Sequence, residues 1–513
     1  MTLTIEIPFL AADLLIVFSG EFFMEKMFST DKNPATHTKL YDAGISPPKN
    51  NISEPDKYRH PFEKREVNIT DIVQTRLQSI YTEAQRRQAL SLGYPVNQKF
   101  DYLAIAPFLN LHLNNAGDPY AASSTLLNTR DLEQEVLGYF ARLWNASPRT
   151  PLTSESFWGY VLGMGATEGN LYALWSAREY FRTRLISGES DPGIIQHPVL
   201  YFSQESHYSI EKSAKILGIA TFQETGNQYY PGQCPVTPDG YWPQGVPVDE
   251  HGAVNPELLS VLVDFFAANG HPPIIVLNVG TTFQGAFDSP AVIWKSISRI
   301  LKQWGFCVET EGDCRPDFWI HIDGALGAAY LPYLEMAYEK ELSREKGPCF
   351  DFRLPCVNSI VMSSHKWYGA PFASGIYMSK EKYRMQPATL PEYIDSPDTT
   401  LCGSRNGMSA LLLWYAITTV TPDMQAETAA NCMKLAEYAY EQLKTVKTGH
   451  TAFRVMKGPQ SLVVLFSRPN NYIFNKFQLS GRGDFAHIVV MPHVTQSAIN
   501  KLIRALSDMD AFE

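Results

Sequence analysis

Between Val199 and Met378 the chain repeats one pattern, and that pattern limits its fold more than any other feature. Short apolar runs at Val199–Phe202, Ile274–Val279, Phe318–Ile322, Ser359–Met362 and Gly375–Met378 are separated by helix-patterned or loop segments. Apolar runs of this length read as strands buried on both faces, and strands joined through helix-length connections pair in parallel. The expected fold class is therefore α/β, with a mainly parallel central sheet flanked by helices.

Around this core the chain is expected to divide into four parts. Residues 1–65, of which 24–65 are rich in Lys, Asp, Asn, Pro and Ser, read as an N-terminal arm. Residues 66–130 form an N-terminal helical segment, with patterning from near Ile72. Residues 131–400 form the large domain, opening on an amphipathic helix in which Leu132, Val136, Leu137, Phe140 and Leu143 recur at helical spacing. Residues 401–513 form a smaller α+β domain: helices around Asn406–Thr419 and Asp423–Lys444, strands at Leu462–Phe466 and His487–Met491, and a last helix from Thr495.

Composition narrows the function classes. A net charge of −10 without a basic cluster argues against nucleic acid or an anionic membrane as partner. Seven cysteines without metal-ligand spacing argue against structural zinc and against a secreted disulfide framework, so no metal is expected and a reducing, cytoplasmic setting fits. The apolar stretch Ile7–Phe23 is short for a membrane span and is interrupted by Asp13 and Glu21, with no basic residue before it.

Two strand ends carry chemistry. The run at Ser359–Met362 leads into Ser363-Ser364-His365-Lys366-Trp367, and the run at Phe318–Ile322 ends in Asp323-Gly324-Ala325. An amine and a carboxylate at neighbouring strand ends suggest pyridoxal phosphate. Lys366 would hold its aldehyde as an imine, and Asp323 would pair with the protonated pyridine nitrogen so that the ring can accept electrons. Taken singly, Lys366 also reads as a surface charge and Asp323 as a helix cap. Gly165-Ala166-Thr167 opens a helix-patterned run, where backbone N–H groups favour a phosphate and Thr167 adds a hydroxyl, although the same residues suit a plain N-cap.

The order of motifs then resembles a known family. Leu92-Gly93-Tyr94-Pro95, Asn114-Asn115-Ala116-Gly117-Asp118-Pro119-Tyr120, Gly165-Ala166-Thr167-Glu168-Gly169-Asn170, Glu205-Ser206-His207-Tyr208-Ser209, Gly280-Thr281-Thr282, the Asp323 and Lys366 segments, Gly403-Ser404-Arg405-Asn406-Gly407 and Met491-Pro492-His493 are together similar to the fold-type-I, group II amino-acid decarboxylases. Within them, the chain resembles the branch of bacterial histidine and plant serine decarboxylases. The resemblance implies a homodimer whose site holds pyridoxal phosphate and a small amino-acid substrate. It implies His207 stacked on one ring face with Ala325 on the other, Thr282 near the ring, and Ala166, Thr167, Ser364 and His365 around the phosphate. It also implies a tyrosine on the loop Pro391-Glu392-Tyr393-Ile394 as proton donor, so that Lys366, His207, Asp323 and Tyr393 form the catalytic set. Asn114, Asn115, Thr125 and Arg405 are expected near the substrate, with Arg405 and the Tyr393 loop crossing the dimer interface.

Departures from the branch bear on the substrate. Ser364 replaces a glycine before the His-Lys pair, Ala373-Ser374-Gly375 replaces Pro-Cys-Gly, and Thr125-Leu126 replaces Tyr-Gly. An apolar replacement there weakens the case for histidine or serine and points to an aromatic or bulky apolar amino acid, otherwise histidine or serine. Segments Thr183–His197 and Glu224–Val246 exceed the family norm and are expected as surface loops. The competing readings are a carbon–carbon lyase, aminotransferase or aldehyde synthase with the same cofactor, and a non-catalytic homologue acting as a binding protein. The intact Lys366, Asp323 and His207 weigh against the last.

Overall fold

The structure, a computed structural model, describes residues 69–187, 197–310, 313–385, 390–447 and 453–512. The expected arm over residues 1–65 and the apolar stretch Ile7–Phe23 lie outside them. The chain divides into two units, 1–77 and 78–513. In the first, the described residues from Ile69 onward open the helix Ile69–Gln88. The second carries all the described strands.

The main sheet has six strands in the order β1-β8-β7-β6-β3-β2. These are β1 (Phe157–Leu162), β2 (Val199–Tyr201) and β3 (Pro273–Asn278), then, after a separate hairpin of β4 (Cys307–Thr310) and β5 (Asp313–Pro316), β6 (Trp319–Asp323), β7 (Ser359–Ser363) and β8 (Gly375–Lys380). β2, β3, β6 and β7 pair in parallel. β8 runs antiparallel to both β7 and β1. The sheet is mainly parallel, as the apolar runs predict, and β6 and β7 are buried along their whole length because helices cover both faces.

Three helices of the body start at a capping residue followed by proline. Asn255-Pro256, Ser289-Pro290 and Thr421-Pro422 each place a capping side chain before a proline at the first helical position. The three side chains accept the backbone N–H groups of Leu258, Val292 and Met424. On the covered side of the helix Ala166–Ser187, a Cβ at Gly169 would come within 2.2 Å of Val361 Cγ2, so only glycine lets that helix lie against β7.

The segment Glu224–Val246 is a largely exposed loop from Tyr230 onward, as expected, but it is anchored at its start and through a few buried residues. Glu224 belongs to the helix Phe222–Tyr229, held by a capping box with Thr221, and Trp242 and Val246 are buried. Trp242 packs where a side chain on Gly226 would clash and donates its indole N–H to the Tyr230 carbonyl at 2.8 Å. Of the other expected loop, the helix Ala166–Ser187 takes up the beginning, and residues 188–196 lie outside the described residues.

After the helices Gly407–Thr419 and Pro422–Leu443, a four-stranded antiparallel sheet forms from β9 (Val455–Met456), β10 (Val463–Ser467), β11 (Ser480–Arg482) and β12 (Phe485–Val489). The helix Gln496–Leu506 follows. This sheet is tied to the body through His487, whose ring nitrogens meet the carbonyls of Phe283 and Gly93 at 2.9 and 3.0 Å. Among the described residues no helix is long and apolar enough to cross a membrane.

Candidate active site

Parallel strands deliver their C-terminal ends to one edge of a sheet, and open α/β sheets bind ligands there. Here Asn278, Asp323 and Ser363 end β3, β6 and β7, with Asn278 and Asp323 directly paired in register. They border a cavity of about 250 Å³ whose wall also includes Lys366, His207 and Thr167.

Lys366 reaches this cavity because β7 breaks into the short helix Ser364–Trp367. That turn is pinned from three sides. The Ser364 N–H donates to the Ser374 carbonyl at 2.9 Å, Asn97 N–H donates to the Lys366 carbonyl at 2.8 Å, and the buried Trp367 indole donates to Gln425 at 2.9 Å. Burial pushes the Lys366 ammonium below the usual lysine range, and the Asp323 carboxylate opposes that shift. A neutral amine is the nucleophilic form, so the environment favours reaction with an aldehyde.

Asp323 is buried, and both of its oxygens accept N–H groups: Oδ2 from the Asn170 amide at 2.8 Å and Oδ1 from the Ala325 backbone at 3.2 Å. Behind Asn170 stands His321, buried on β6 beside Ser359 of β7, where burial pushes its imidazole down to about 4. His207 lines the cavity from the segment after β2, with Nδ1 2.8 Å from Ser209 Oγ and its ring 4.1 Å from the Tyr208 ring. Burial lowers its pKa as well.

The third corner is the start of the helix Ala166–Ser187. Gly165 has φ +69°, and a Cβ there would lie 2.7 Å from His365 Cε1, so a glycine is required where the turn meets His365. Ala166 N–H donates to Ser363 Oγ at 3.0 Å, and Glu168 accepts the N–H groups of Gly163 and Met164, fixing the turn. A long helix with its N-terminus on the cavity offers an anion seat. A poised amine, a buried carboxylate, an imidazole and a helix N-terminus around one cavity match the aldehyde, ring nitrogen, ring face and phosphate of pyridoxal phosphate.

The cavity gathers Lys366, Asp323, His207, Ala166, Thr167, Thr282, Ala325 and His365 of the expected residues. Ser364 is a correction. It lies one residue past the end of β7, its hydroxyl bonds Ser374, and Ser363 takes the place on the cavity wall. Four residues expected near the substrate also lie elsewhere. Arg405 is buried in an ion pair with Glu133 and donates to the Gly117 carbonyl at 3.0 Å. Asn115 donates to the same Glu133, Asn114 accepts the Arg405 N–H, and the Thr125 carbonyl accepts from Asn128. Glu133 requires these donors because an unpaired buried carboxylate is costly. Tyr393 stands 84% exposed, away from the cavity of its own chain. Conversely, Asn170, Asn278, Thr281 and Met164 line the cavity without having been singled out. Their signal in the sequence is only their place inside or beside the motifs.

Comparison with known proteins agrees with this geometry. Residues 98–467 match the model of the pyridoxal-dependent decarboxylase conserved domain. The chain is 30% identical to a histidine decarboxylase of Vibrio campbellii over 432 residues, covering 84% of this chain and 93% of that one. It is 31% identical to serine decarboxylase 3 of Oryza sativa subsp. japonica, covering 82% and 78%. Among solved structures, L-methionine decarboxylase from Streptomyces sp. 590 superposes with a TM-score of 0.77 at 33% identity, covering 86% of this chain and 96% of that one. With most of its length matched by the family model and by relatives of this kind, the chain belongs to the pyridoxal-dependent decarboxylases.

Proposed function

We propose that this pyridoxal-phosphate-dependent amino-acid carboxy-lyase takes an L-amino acid with a bulky apolar side chain and releases the primary amine and carbon dioxide. The observation that carries the substrate class is the cavity lining. Its charged and imidazole side chains, Lys366, Asp323, His207 and His365, are the ones the cofactor would engage, and the remaining wall joins the buried polar Asn170, Asn278, Thr281 and Ser363 to Met164, Tyr208 and Ala373. Met164 and Tyr208 are 56% and 66% exposed, an apolar rim of the kind a thioether, branched or aromatic side chain would cover.

When bound, pyridoxal phosphate supplies a ring that takes up the electron pair left as carbon dioxide departs. The chain's part is to hold it and to manage protons. Lys366 offers the amine, Asp323 holds a proton at the ring nitrogen, and the helix start at Ala166 and Thr167 with His365 holds the phosphate. The test is an amine assay of the purified protein. L-methionine, L-leucine and L-phenylalanine are expected to include a substrate with kcat/KM at least ~10-fold above L-histidine and L-serine. A preference for histidine or serine would overturn the substrate class, and carbon dioxide without amine would favour an aldehyde synthase.

The proton returned to the alpha carbon is assigned to Tyr393, working across a homodimer in the cytoplasm. Its exposure supports this, since a tyrosine that does not line the cavity of its own chain is free to serve a second copy. The backbone around it is held: Ser124 Oγ donates to the Tyr393 carbonyl at 3.0 Å and Ser123 Oγ to the Ile394 carbonyl at 2.9 Å. Tyr393→Phe should therefore lose clean amine release and gain carbonyl product. Co-expressing Tyr393→Phe with Lys366→Ala chains should restore activity to about a quarter of the parent, because half of randomly paired dimers would hold one intact site. Amine formation by Tyr393→Phe at the parent rate would remove Tyr393 from the reaction.

A further inference from the structure

Six buried or half-buried polar residues form a chain, branched at Asn170, that runs from the cavity wall into the protein behind it, and donor–acceptor rules fix the direction of its hydrogen bonds. The amide oxygen of Asn170 faces His321 Nε2 at 2.9 Å. An amide oxygen only accepts, so His321 carries its hydrogen on Nε2. Its Nδ1, 2.8 Å from Ser359 Oγ, then accepts the serine hydroxyl. Burial keeps this imidazole neutral, which is the form with one donor and one acceptor.

On its other side the Asn170 amide nitrogen donates to Asp323 Oδ2 at 2.8 Å and to Ser209 Oγ at 3.0 Å. Turning the amide over would set its oxygen against the carboxylate, so the orientation is determined. Ser209 Oγ, already accepting from Asn170, directs its own hydrogen to His207 Nδ1 at 2.8 Å, and the Ser209 backbone N–H approaches the same nitrogen at 3.3 Å. With Nδ1 accepting, the His207 hydrogen lies on Nε2.

We infer that Asn170 is a positioning residue which, backed by His321 and Ser359, both orients Asp323 toward the cofactor's ring nitrogen and sets the tautomer of His207. The inference rests on the reading that Asp323 meets the ring nitrogen. Among the described residues, Asn170 is the side chain hydrogen-bonded to Asp323 and, through Ser209, to His207, so the two ring contacts are coupled through a single amide. Buried polar chains of this kind hold their members rigid only when every link is made.

A cofactor analogue with C–H in place of the ring nitrogen, 1-deaza-pyridoxal phosphate, isolates the effect. Apoprotein of the parent sequence should bind pyridoxal phosphate at least ~10-fold more tightly than the analogue, since a charge-assisted hydrogen bond is lost. In Asn170→Leu that preference should collapse to within about 2-fold, because the carboxylate is no longer aimed. His321→Gln, whose amide can donate to Asn170 and accept from Ser359, should keep most of the preference, and His321→Leu should lose it. A purely structural role would weaken both ligands equally and leave the ratio unchanged.

If the parent fails to distinguish the two ligands, Asp323 is not the partner of the ring nitrogen and the underlying site assignment falls. If the parent distinguishes them and Asn170→Leu does so equally, the positioning role alone falls. Should Asn170→Leu not fold, Ser359→Ala decides, since it removes only the terminal hydroxyl: a reduced ratio supports the chain and an unchanged ratio overturns it.

Discussion

Replacing Lys366 with alanine should lower turnover by at least ~1000-fold and abolish the yellow absorbance of the purified protein. A free lysine amine is almost wholly protonated at neutral pH, and a protonated amine attacks nothing. Lys366 is different because burial shifts it down and because the turn Ser364–Trp367 is pinned by Asn97, Ser374 and Gln425, which hold the amine at the cavity wall. Removing it takes away both a reactive group and its placement, and the second of these is worth most of the effect. Added methylamine should therefore restore only a small fraction of the rate. The variant should fold as the parent does, since Trp367 and Tyr368, which anchor the turn in the core, are untouched. Persistence of the yellow band in Lys366→Ala would mean that another amine holds the cofactor.

How far this site can be read from sequence depends on whether the information is local. β3, β6 and β7 are legible because each is a continuous apolar run ending in a residue with chemistry. β1 is not, although Phe157–Leu162 is buried throughout. Its partner is β8, with Phe157 opposite Lys380, and a pairing across so much intervening chain leaves no mark on either segment. Trp242 is hidden for a related reason. Its neighbours are prolines and glycines that look like a loop, and one buried indole fastens the segment. At the site, the difference between Ser363 and Ser364 turns on where β7 ends, a boundary that one residue decides. Asn170 is harder still. It lies on the helix Ala166–Ser187 in a position where periodicity records only that it faces inward, and its meaning comes from His321 and Asp323 on a strand far away in sequence. Arg405 shows the converse case. An arginine in a family motif reads as a substrate ligand, whereas within this chain Glu133 takes its charge.

Asp323→Asn should reduce kcat by about 100- to 1000-fold with little change in overall stability, which makes it the sharpest test of the electronic role of this carboxylate. The substitution keeps volume and keeps an oxygen to accept from Asn170, so the polar chain behind the cavity loses only the weaker bond, the one from the Ala325 N–H at 3.2 Å. Asp323→Ala would instead strand the Asn170 amide in a buried site, at a cost of about 1–3 kcal/mol, and would mix a folding effect with a chemical one. What Asp323→Asn removes is the negative charge. Without it nothing else among the cavity-lining residues can stabilise a protonated ring nitrogen, because Lys366, His207 and His365 are bases and carry no negative charge. The electron sink then weakens at the step in which carbon dioxide leaves, whereas binding of the amino acid, which depends on the rim, does not. The signature is a fall in kcat at nearly constant KM, measured beside thermal unfolding of the holoprotein. A parallel rise in KM would place Asp323 in substrate binding, and an unchanged kcat would show that the ring works without a charged partner.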